Sequence, residues 1–409
     1  MYKTELQTIH SGFDPGQTHC WTHARAGIMR EGDPSIVLTM SPLKLSGSDV
    51  FYALHQIRSE DLGETWTAPT KQQGLSRREM TDGCEEVVCD FTPKWHAASG
   101  KLLGTGQTVA YQGDDIYRKV RNTAYAVYDP ASQSWGPWKK VAMPDEFATS
   151  GAGSTQRVDL DNGDILLPIY YKKRQSVLSS SLNDVFYSCV IRCQFDGETL
   201  RYAEKGSDLA YPSGRGYYEP SLTYYQGEYL ITMRADDHGA VARSKDGLNF
   251  EAPKKWSWDD GNVVPTYNTQ QHWVTHSDAL YLVYTRKAGN NDHVFRHRAP
   301  LFMAEVDPEQ MCLIRKTERI IVPEHGARLG NFGVVDIHAG ETWVTVAEWM
   351  QNAGEWGQRM REKLDEEYTG EELVPLENAP YMSGLITKFG AQNRIFAARI
   401  MWDKPNRLM

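Results

Sequence analysis

Four arginines of this chain, Arg25, Arg234, Arg298 and Arg328, stand beside glycine, proline or alanine where apolar runs begin or end. A guanidinium matches a planar carboxylate with two parallel N–H bonds, so arginines drawn together from distant segments would clamp an acidic ligand. Groups that move protons lie close to each of them. His23 precedes Arg25 in CWTHARAG, and Tyr217, Tyr218 and Glu219 precede Arg234 in GRGYYEPSLTYYQGEYLITMRADD. Gln270, Gln271 and His272 fall in YNTQQHWVTH, followed by His293, Arg296, His297 and Arg298 in DHVFRHRAPLF. His325, Arg328 and Asn331 share PEHGARLGNFG. An imidazole near its ordinary pKa serves as acid or base in a pocket already holding cations, which makes His23 the leading catalytic candidate with His272 or Tyr218 as its partner. Arg25, Glu219, Arg234, Gln271, Arg298, Arg328 and Asn331 are the binding candidates. Trp21, His23 and Arg25 alternate, which places all three on one face of an extended segment.

Any one of these residues, taken alone, has the bland reading of a satisfied strand-end residue. Taken together they are harder to dismiss, because a chain of net charge −9 has no surplus of cations to scatter. Zinc is the rival use for His23, His272, His293 and His297, but no H-E-x-x-H or comparable spacing supports it. The reading assigns no cofactor and leaves a metal ion at the centre of the fold as the alternative.

Residues so far apart converge only if the elements between them return repeatedly to one place. The string SEDLGETW, Ser59 to Trp66, supplies the repeat. It is an Asp-box, S-x-D-x-G-x-T-W, whose Ser and Asp can cap the amides of their own turn while Gly takes positive φ and Trp buries one end. SKDGLNF, Ser244 to Phe250, is a shortened second copy. Short runs such as DVFYALHQI, GEYLITMRA and DALYLVYTR, bounded by Gly, Asp or Asn, read as antiparallel strands. The pattern predicts an all-β fold: one β-propeller domain over residues 1–409, of seven four-stranded antiparallel blades, with six blades as the alternative. The expected blade cores are 35–57, 94–128, 156–193, 221–243, 272–285, 301–321 and 333–348, and FAARIMW closes the ring against N-terminal sequence. One helical stretch, QRMREKLDEEY at Gln358 to Tyr368, reads as an exposed insertion near 354–370. The glycines of GTGQ and GAGS read as blade turns rather than phosphate cradles, since neither precedes a helix or a P-loop lysine.

The acidic balance, with pI near 5.8, excludes a general nucleic-acid surface. No run of eighteen apolar residues is present, which excludes a membrane-spanning helix, and MYKTELQTIH lacks the apolar core of a signal peptide. That predicts a cytoplasmic protein, or a periplasmic or secreted one whose export signal has been removed. The six cysteines follow no disulfide framework and read chiefly as buried thiols, with a Cys84–Cys89 bridge as the alternative. Nothing in the sequence speaks to oligomeric state.

With the Asp-box and the polar clusters in view, the chain resembles the sialidase superfamily of β-propellers over most of its length. GAGSTQRVDLDNGDILLPIYY is similar to a sialidase blade of type G-x-G-x-Q-L-x-N-G-R-L-x-x-P, and YYEPSLTYYQGEYLITMRADD to the blade that follows it. The resemblance implies that Glu219 matches the glutamate that activates the tyrosine nucleophile. It also implies that Arg234 belongs to a carboxylate-binding triad completed by Arg298 and by Arg25 or Arg30. The chain departs from the pattern where the nucleophile belongs: the A-Y-S-x-L segment is replaced by GNFGVVDI, with Asn331 and Phe332, and the N-terminal R-I-P motif is missing. HSGFDPGQTHCWTHARAG and SGSDVFYALHQIRSEDLGETW further resemble propeller enzymes that remove terminal L-rhamnose from α-1,4-linked D-glucuronate in arabinogalactan-type glycans, first described as rhamnosidases and now grouped with polysaccharide lyases. That likeness implies His23 as the essential histidine, an acidic oligosaccharide as substrate and β-elimination as the reaction; Trp21 or Trp273 offers an aromatic face on which a sugar ring can stack. An exo-sialidase or other exo-glycoside hydrolase is the second reading, and a noncatalytic glycan-binding propeller the third.

Overall fold

The computed structural model describes residues 2–12, 18–45, 49–118, 120–173, 185–351, 355–367 and 383–409. They form six antiparallel sheets. Five of these repeat one local solution to a turn problem. Where the third strand of a sheet gives way to the fourth, an aspartate side chain accepts the backbone N–H groups that the turn leaves unpaired. Asp61 accepts from Thr65 N at 2.9 Å, Asp129 from Ala131 N at 3.1 Å, Asp196 from Thr199 N at 2.7 Å, Asp246 from Asn249 N at 2.7 Å and Asp307 from Gln310 N at 2.9 Å. In the two complete motifs the serine adds its own bond, Gly63 N to Ser59 Oγ at 2.7 Å and Gly247 N to Ser244 Oγ at 2.9 Å. Gly63 has φ 98° and lies under the Trp343 ring, so neither its conformation nor its surroundings admit a Cβ.

The sixth sheet lacks this turn for a topological reason. Its first three strands are Gly333–His338, Glu341–Ala347 and Arg394–Trp402, and its fourth is Tyr2–Ser11, which pairs with the last strand from Tyr2 opposite Trp402 to Ser11 opposite Arg394. The two ends of the chain thus close one sheet, as FAARIMW predicts. The strands nearest the axis are His19–Met29, Glu85–His96, the interrupted pair Phe147–Gly151 and Val158–Asp159, Tyr218–Tyr225, His272–His276 and Gly333–His338. Side chains tie them together across the axis: Gln156 donates to Trp273 O at 2.9 Å and accepts from Trp273 N at 2.7 Å.

The expected seven blades are corrected by one pairing. Leu280–Tyr284 runs antiparallel to Phe302–Val306, so 272–285 and 301–321, read as two blades, are one sheet whose second and third strands are joined by a long excursion. Aliphatic side chains of neighbouring sheets fill the space between them; Val274, Val283 and Met303 of the fifth pack with Val344, Val346, Phe396 and Ala398 of the sixth. Each such side chain contributes roughly 1.5–3 kcal/mol relative to exposure.

The helical insertion is present as Glu355–Glu367 and Ser383–Lys388, between the second and third strands of the sixth sheet. Residues 354 and 368–370 of the expected segment, Tyr368 included, lie outside the described residues. Its expected exposure is corrected. Trp356, Met360 and Leu364, four residues apart, are buried, and Met360 and Leu364 join Leu385 and Ile386 against Leu43, Phe51, Val87 and Tyr111 of the first two sheets. Among the described residues no helix is long and apolar enough to cross a membrane. Cys89 is a buried free thiol, so the alternative bridge to Cys84 is not made.

Candidate functional site

Four of the six strands nearest the axis share a defect. Pairing of His19–Met29 with its neighbour shifts between Thr22 and Arg25, that of Glu85–His96 between Cys89 and Thr92, and that of Tyr218–Tyr225 between Tyr218 and Ser221; the third inner strand is broken outright between Gly151 and Val158. At each break one non-glycine residue takes positive φ: His23 at 53°, Asp90 at 51°, Ser154 at 57° and Glu219 at 48°. Such backbone costs on the order of 1–3 kcal/mol per residue and persists where surrounding structure enforces it. A bulge re-aims the side chain it carries. Here it turns His23, Asp90 and Glu219 toward the axis. Gly104 and Gly106 of GTGQ, expected in a turn, lie inside the strand Lys101–Gln112 instead; a Cβ on Gly104 would strike the Phe91 ring and one on Gly106 would meet Cys89 O at 2.6 Å. That close approach sets Gln107 beside Asp90, to which its Nε2 donates at 2.7 Å.

The re-aimed residues line a cavity of about 160 Å³ to which all six sheets contribute. On one wall His23 Nδ1 lies 3.4 Å from Asp90 Oδ1, and Asn331 Nδ2 contacts His23 Nε2. Burial first, then Arg25 and Arg298, pull the His23 pKa down to about 4 against the opposing pull of Asp90 and Asp49, so the ring is neutral at pH 7. Burial would raise Asp90, but His23, Arg25 and Arg121 outweigh it and hold the carboxyl near 2. The 3.4 Å approach of Asp90 is a charge contact and not a hydrogen bond, since Nδ1 is buried without a hydrogen-bond partner among the described residues; a proton on Nδ1 would face the ionised carboxylate and leave the Nε2 lone pair to the Asn331 amide.

The opposite wall is cationic. Arg234 donates to Glu219 Oε1 at 2.6 Å and to Asn268 O at 2.7 Å, with Tyr218 under its guanidinium at 4.4 Å. Arg298 donates to Asn268 O at 2.8 Å, and Arg328 donates to Gln351 O at 2.7 Å while lying between the rings of Phe295 and Trp349. Among the described residues Arg121, Arg296, Arg298 and Arg328 have no carboxylate within ion-pair distance, and Arg298 Nε is buried without a partner. Burial and then the charges of Arg234 and Arg296 pull the Arg298 pKa down to about 9. A guanidinium does not give up its proton in practice, so this depression measures a repulsion that a bound anion would relieve. Tyr218 donates to Asp236 Oδ1 at 2.7 Å and is pushed up to about 12 by burial, which keeps its proton in place.

Of the eleven catalytic and binding candidates, seven line this cavity, namely His23, Tyr218, Glu219, Arg234, Arg298, Arg328 and Asn331, and Arg296 lines it too. Four do not. Trp21, His23 and Arg25 do not share a face, because the bulge breaks their alternation. Trp21 lines a separate depression with His19, Tyr52 and His55. Arg25, 1% exposed, is a cross-tie in the ring's interior, donating to Phe332 O at 3.2 Å and Ser154 Oγ at 2.7 Å. Gln271 accepts from Thr232 Oγ1 at 2.6 Å, and His272 Nδ1 meets Ser221 Oγ at 2.7 Å; both sit in the packing beneath. His293 and His325 face Glu324 and Glu348 outside the cavity. Asp90, Gln107, Arg121 and Tyr170 were not anticipated. The available signal was VVCDFTPKW, where one acid interrupts an apolar run as His23 interrupts CWTHARAG.

The sequence matches no family model and no curated protein. Its fold does have counterparts among solved structures. A protein of unknown function from Dyadobacter fermentans superposes with a TM-score of 0.60 at 14% identity, covering 98% of this chain and 99% of that one. Trypanosoma rangeli sialidase gives a TM-score of 0.55 at 14% identity, over 88% of this chain and 60% of its own. The endosialidase of phage phi92 gives 0.56 at 11% identity, over 99% and 70%. These likenesses define the class of fold: an all-β propeller of the sialidase type.

Proposed function

We propose that this protein is a carbohydrate-active enzyme that binds a uronate-containing glycan and releases the terminal sugar carried on the uronate's O4 by β-elimination. The observation that carries the reading is a neutral imidazole beside an ionised aspartate, facing a cavity that also holds Arg296, Arg298 and Arg328, which lack carboxylate partners among the described residues, and Arg234, which is paired with Glu219. A uronate carboxylate between Arg234 and Arg298 would quench their repulsion and let the C5 proton become acidic, with the same cations stabilising the enolate-like charge. His23 Nε2 takes that proton once the substrate displaces the Asn331 amide from it. The electron pair of the C5–H bond forms the C4–C5 double bond, the C4–O4 pair leaves with O4, and Tyr218 gives its hydroxyl proton to the departing oxygen. His272, the other partner considered, lies beneath the cavity and takes no part. A volume of about 160 Å³ admits one sugar ring and suits a chain end.

Sialidase-type hydrolysis is the second reading, favoured by the fold. Trypanosoma rangeli sialidase has been captured as a covalent intermediate with 2,3-difluorosialic acid, an acidic sugar. Two features weigh against that route here. Tyr218 keeps its proton and bonds Asp236, and Glu219, which would have to activate a tyrosine, is held by Arg234. Incubation with rhamnosyl-α-1,4-glucuronate oligosaccharides separates the readings. Elimination yields free rhamnose together with ultraviolet absorbance from an unsaturated uronate. Free sugar without that absorbance means hydrolysis, and binding without either product means a lectin.

A further inference from the structure

The turn that brings Arg296 and Arg298 to the cavity is strained at two consecutive residues, Arg296 with φ 54° and His297 with φ 51°. Something must hold it. From the sheet side, the fully buried Asn291 does so with one amide group, donating to Arg286 O at 2.9 Å, His297 O at 3.3 Å and Ala299 O at 2.6 Å. The other support comes from the helical insertion. The Trp356 ring lies 5.0 Å from the His297 ring, edge to face, and 5.8 Å from Phe295, so one indole touches both shoulders of the turn. Phe295 in turn carries the Arg328 guanidinium at 3.9 Å. Trp356 is 9% exposed, and the same helix face is anchored through Met360 and Leu364 in the cluster that contains Phe51, whose ring contacts His23 at 5.3 Å.

We propose that Trp356 is a positioning residue through which the helical insertion braces Phe295–Arg298, so that Arg296 and Arg298 face the cavity and confer preference for a carboxylated sugar over a neutral one. The preference rests on the acidic-sugar reading above; the brace itself does not. Without the indole the strained turn relaxes, and the two guanidinium groups are no longer held in a common orientation.

Four variants test this: Trp356→Ala, Trp356→Leu, which keeps apolar bulk but not the reach to His297, Trp356→Phe, which keeps an aromatic face, and Glu362→Ala on the exposed side of the same helix. The first readout is amide hydrogen exchange over residues 294–299 without ligand. Exchange should be at least roughly tenfold faster in the Ala and Leu variants and unchanged in Phe and Glu362→Ala. The second is calorimetric titration with D-glucuronate and with D-glucose. Glucuronate affinity should fall roughly tenfold in Ala and Leu and be largely restored in Phe, an effect of the size of one lost aromatic pair, while any glucose binding stays the same. Unchanged exchange in folded Ala or Leu variants overturns the brace, and so does faster exchange without loss of glucuronate over glucose. If the wild type binds no glucuronate, the acidic-sugar reading fails, and the exchange data still decide whether the brace exists. Should Trp356→Ala not fold, the Leu and Phe pair carries the comparison.

Discussion

His23 and His272 are each 2% exposed, both lie on strands nearest the axis, and burial makes both neutral at pH 7, pulling His23 to about 4 and His272 to about 3. They differ in what the protein does with the ring. His272 contacts Ser221 through Nδ1 at 2.7 Å and packs edge-on against Phe332 at 4.9 Å, and its Nε2 is buried without a hydrogen-bond partner among the described residues, so the ring joins the packing beneath and faces no ligand space. His23 sits at a bulge with positive φ, has an ionised carboxylate on one side and, on the other, the Asn331 amide at the cavity wall. The same contrast separates Arg25, which donates to acceptors from three distant segments, from Arg298, whose nearest charged neighbours repel it. Residue type and burial are equal within each pair. What distinguishes the functional member is unspent chemistry facing a space that a ligand can enter.

The largest consequence of that contrast concerns the histidines. His23→Ala should lower turnover of a rhamnosyl-glucuronate glycan by roughly 10²–10⁴-fold, the range for loss of a general base, with the thermal transition almost unmoved. His272→Ala should do the reverse, retaining most activity while costing about 1–3 kcal/mol for a lost buried contact; kinetics and thermal melts on the two purified variants measure both. Wild-type rates in His23→Ala would remove it from the mechanism. Next in size, Arg298→Ala should weaken glucuronate binding by about 2–3 kcal/mol, the scale of a charge-assisted contact, and leave a neutral sugar unaffected. Equal losses for both ligands would mean that the arginine is structural. A smaller effect follows from pH. Both histidines are depressed below 6.5, so each contributes stability that is present above that value and is lost as pH falls through about 4 for His23 and 3 for His272. Unfolding free energy should therefore decline between about pH 6 and 3, and His272→Gln should show a shallower decline; an identical slope would contradict the buried neutral state assigned to it.

The fold was legible because its repeat lies in a turn. Ser59 to Trp66 announces a hairpin whose capping bonds are all local, and local bonds are what a linear pattern records. The three further aspartate-capped turns lack the serine, which left the blade count to spacing; the long excursion between Tyr284 and Leu301 then divided one sheet into two. The cationic wall was legible too, since its arginines sit at strand ends where side chains have few other places to go. The dyad was half legible. His23 stood out, but Asp90 is joined to it only by parallel defects in two separate sheets, and a bulge leaves no trace in an alternation of apolar and polar residues. The same blindness placed Trp21 and Arg25 in the site. The insertion's buried face was misjudged because its three apolar residues are diluted by charge on the rest of the helix.

Crystals of the protein soaked with a rhamnosyl-glucuronate disaccharide, in the His23→Ala background to prevent turnover, would test the central claim most directly. The account predicts the carboxylate bridging Arg234 and Arg298, with the C5 hydrogen directed at the space the imidazole has vacated and O4 within hydrogen-bond reach of Tyr218. A carboxylate bound elsewhere, or a sugar ring presenting C5 to the Glu219 side, would contradict it.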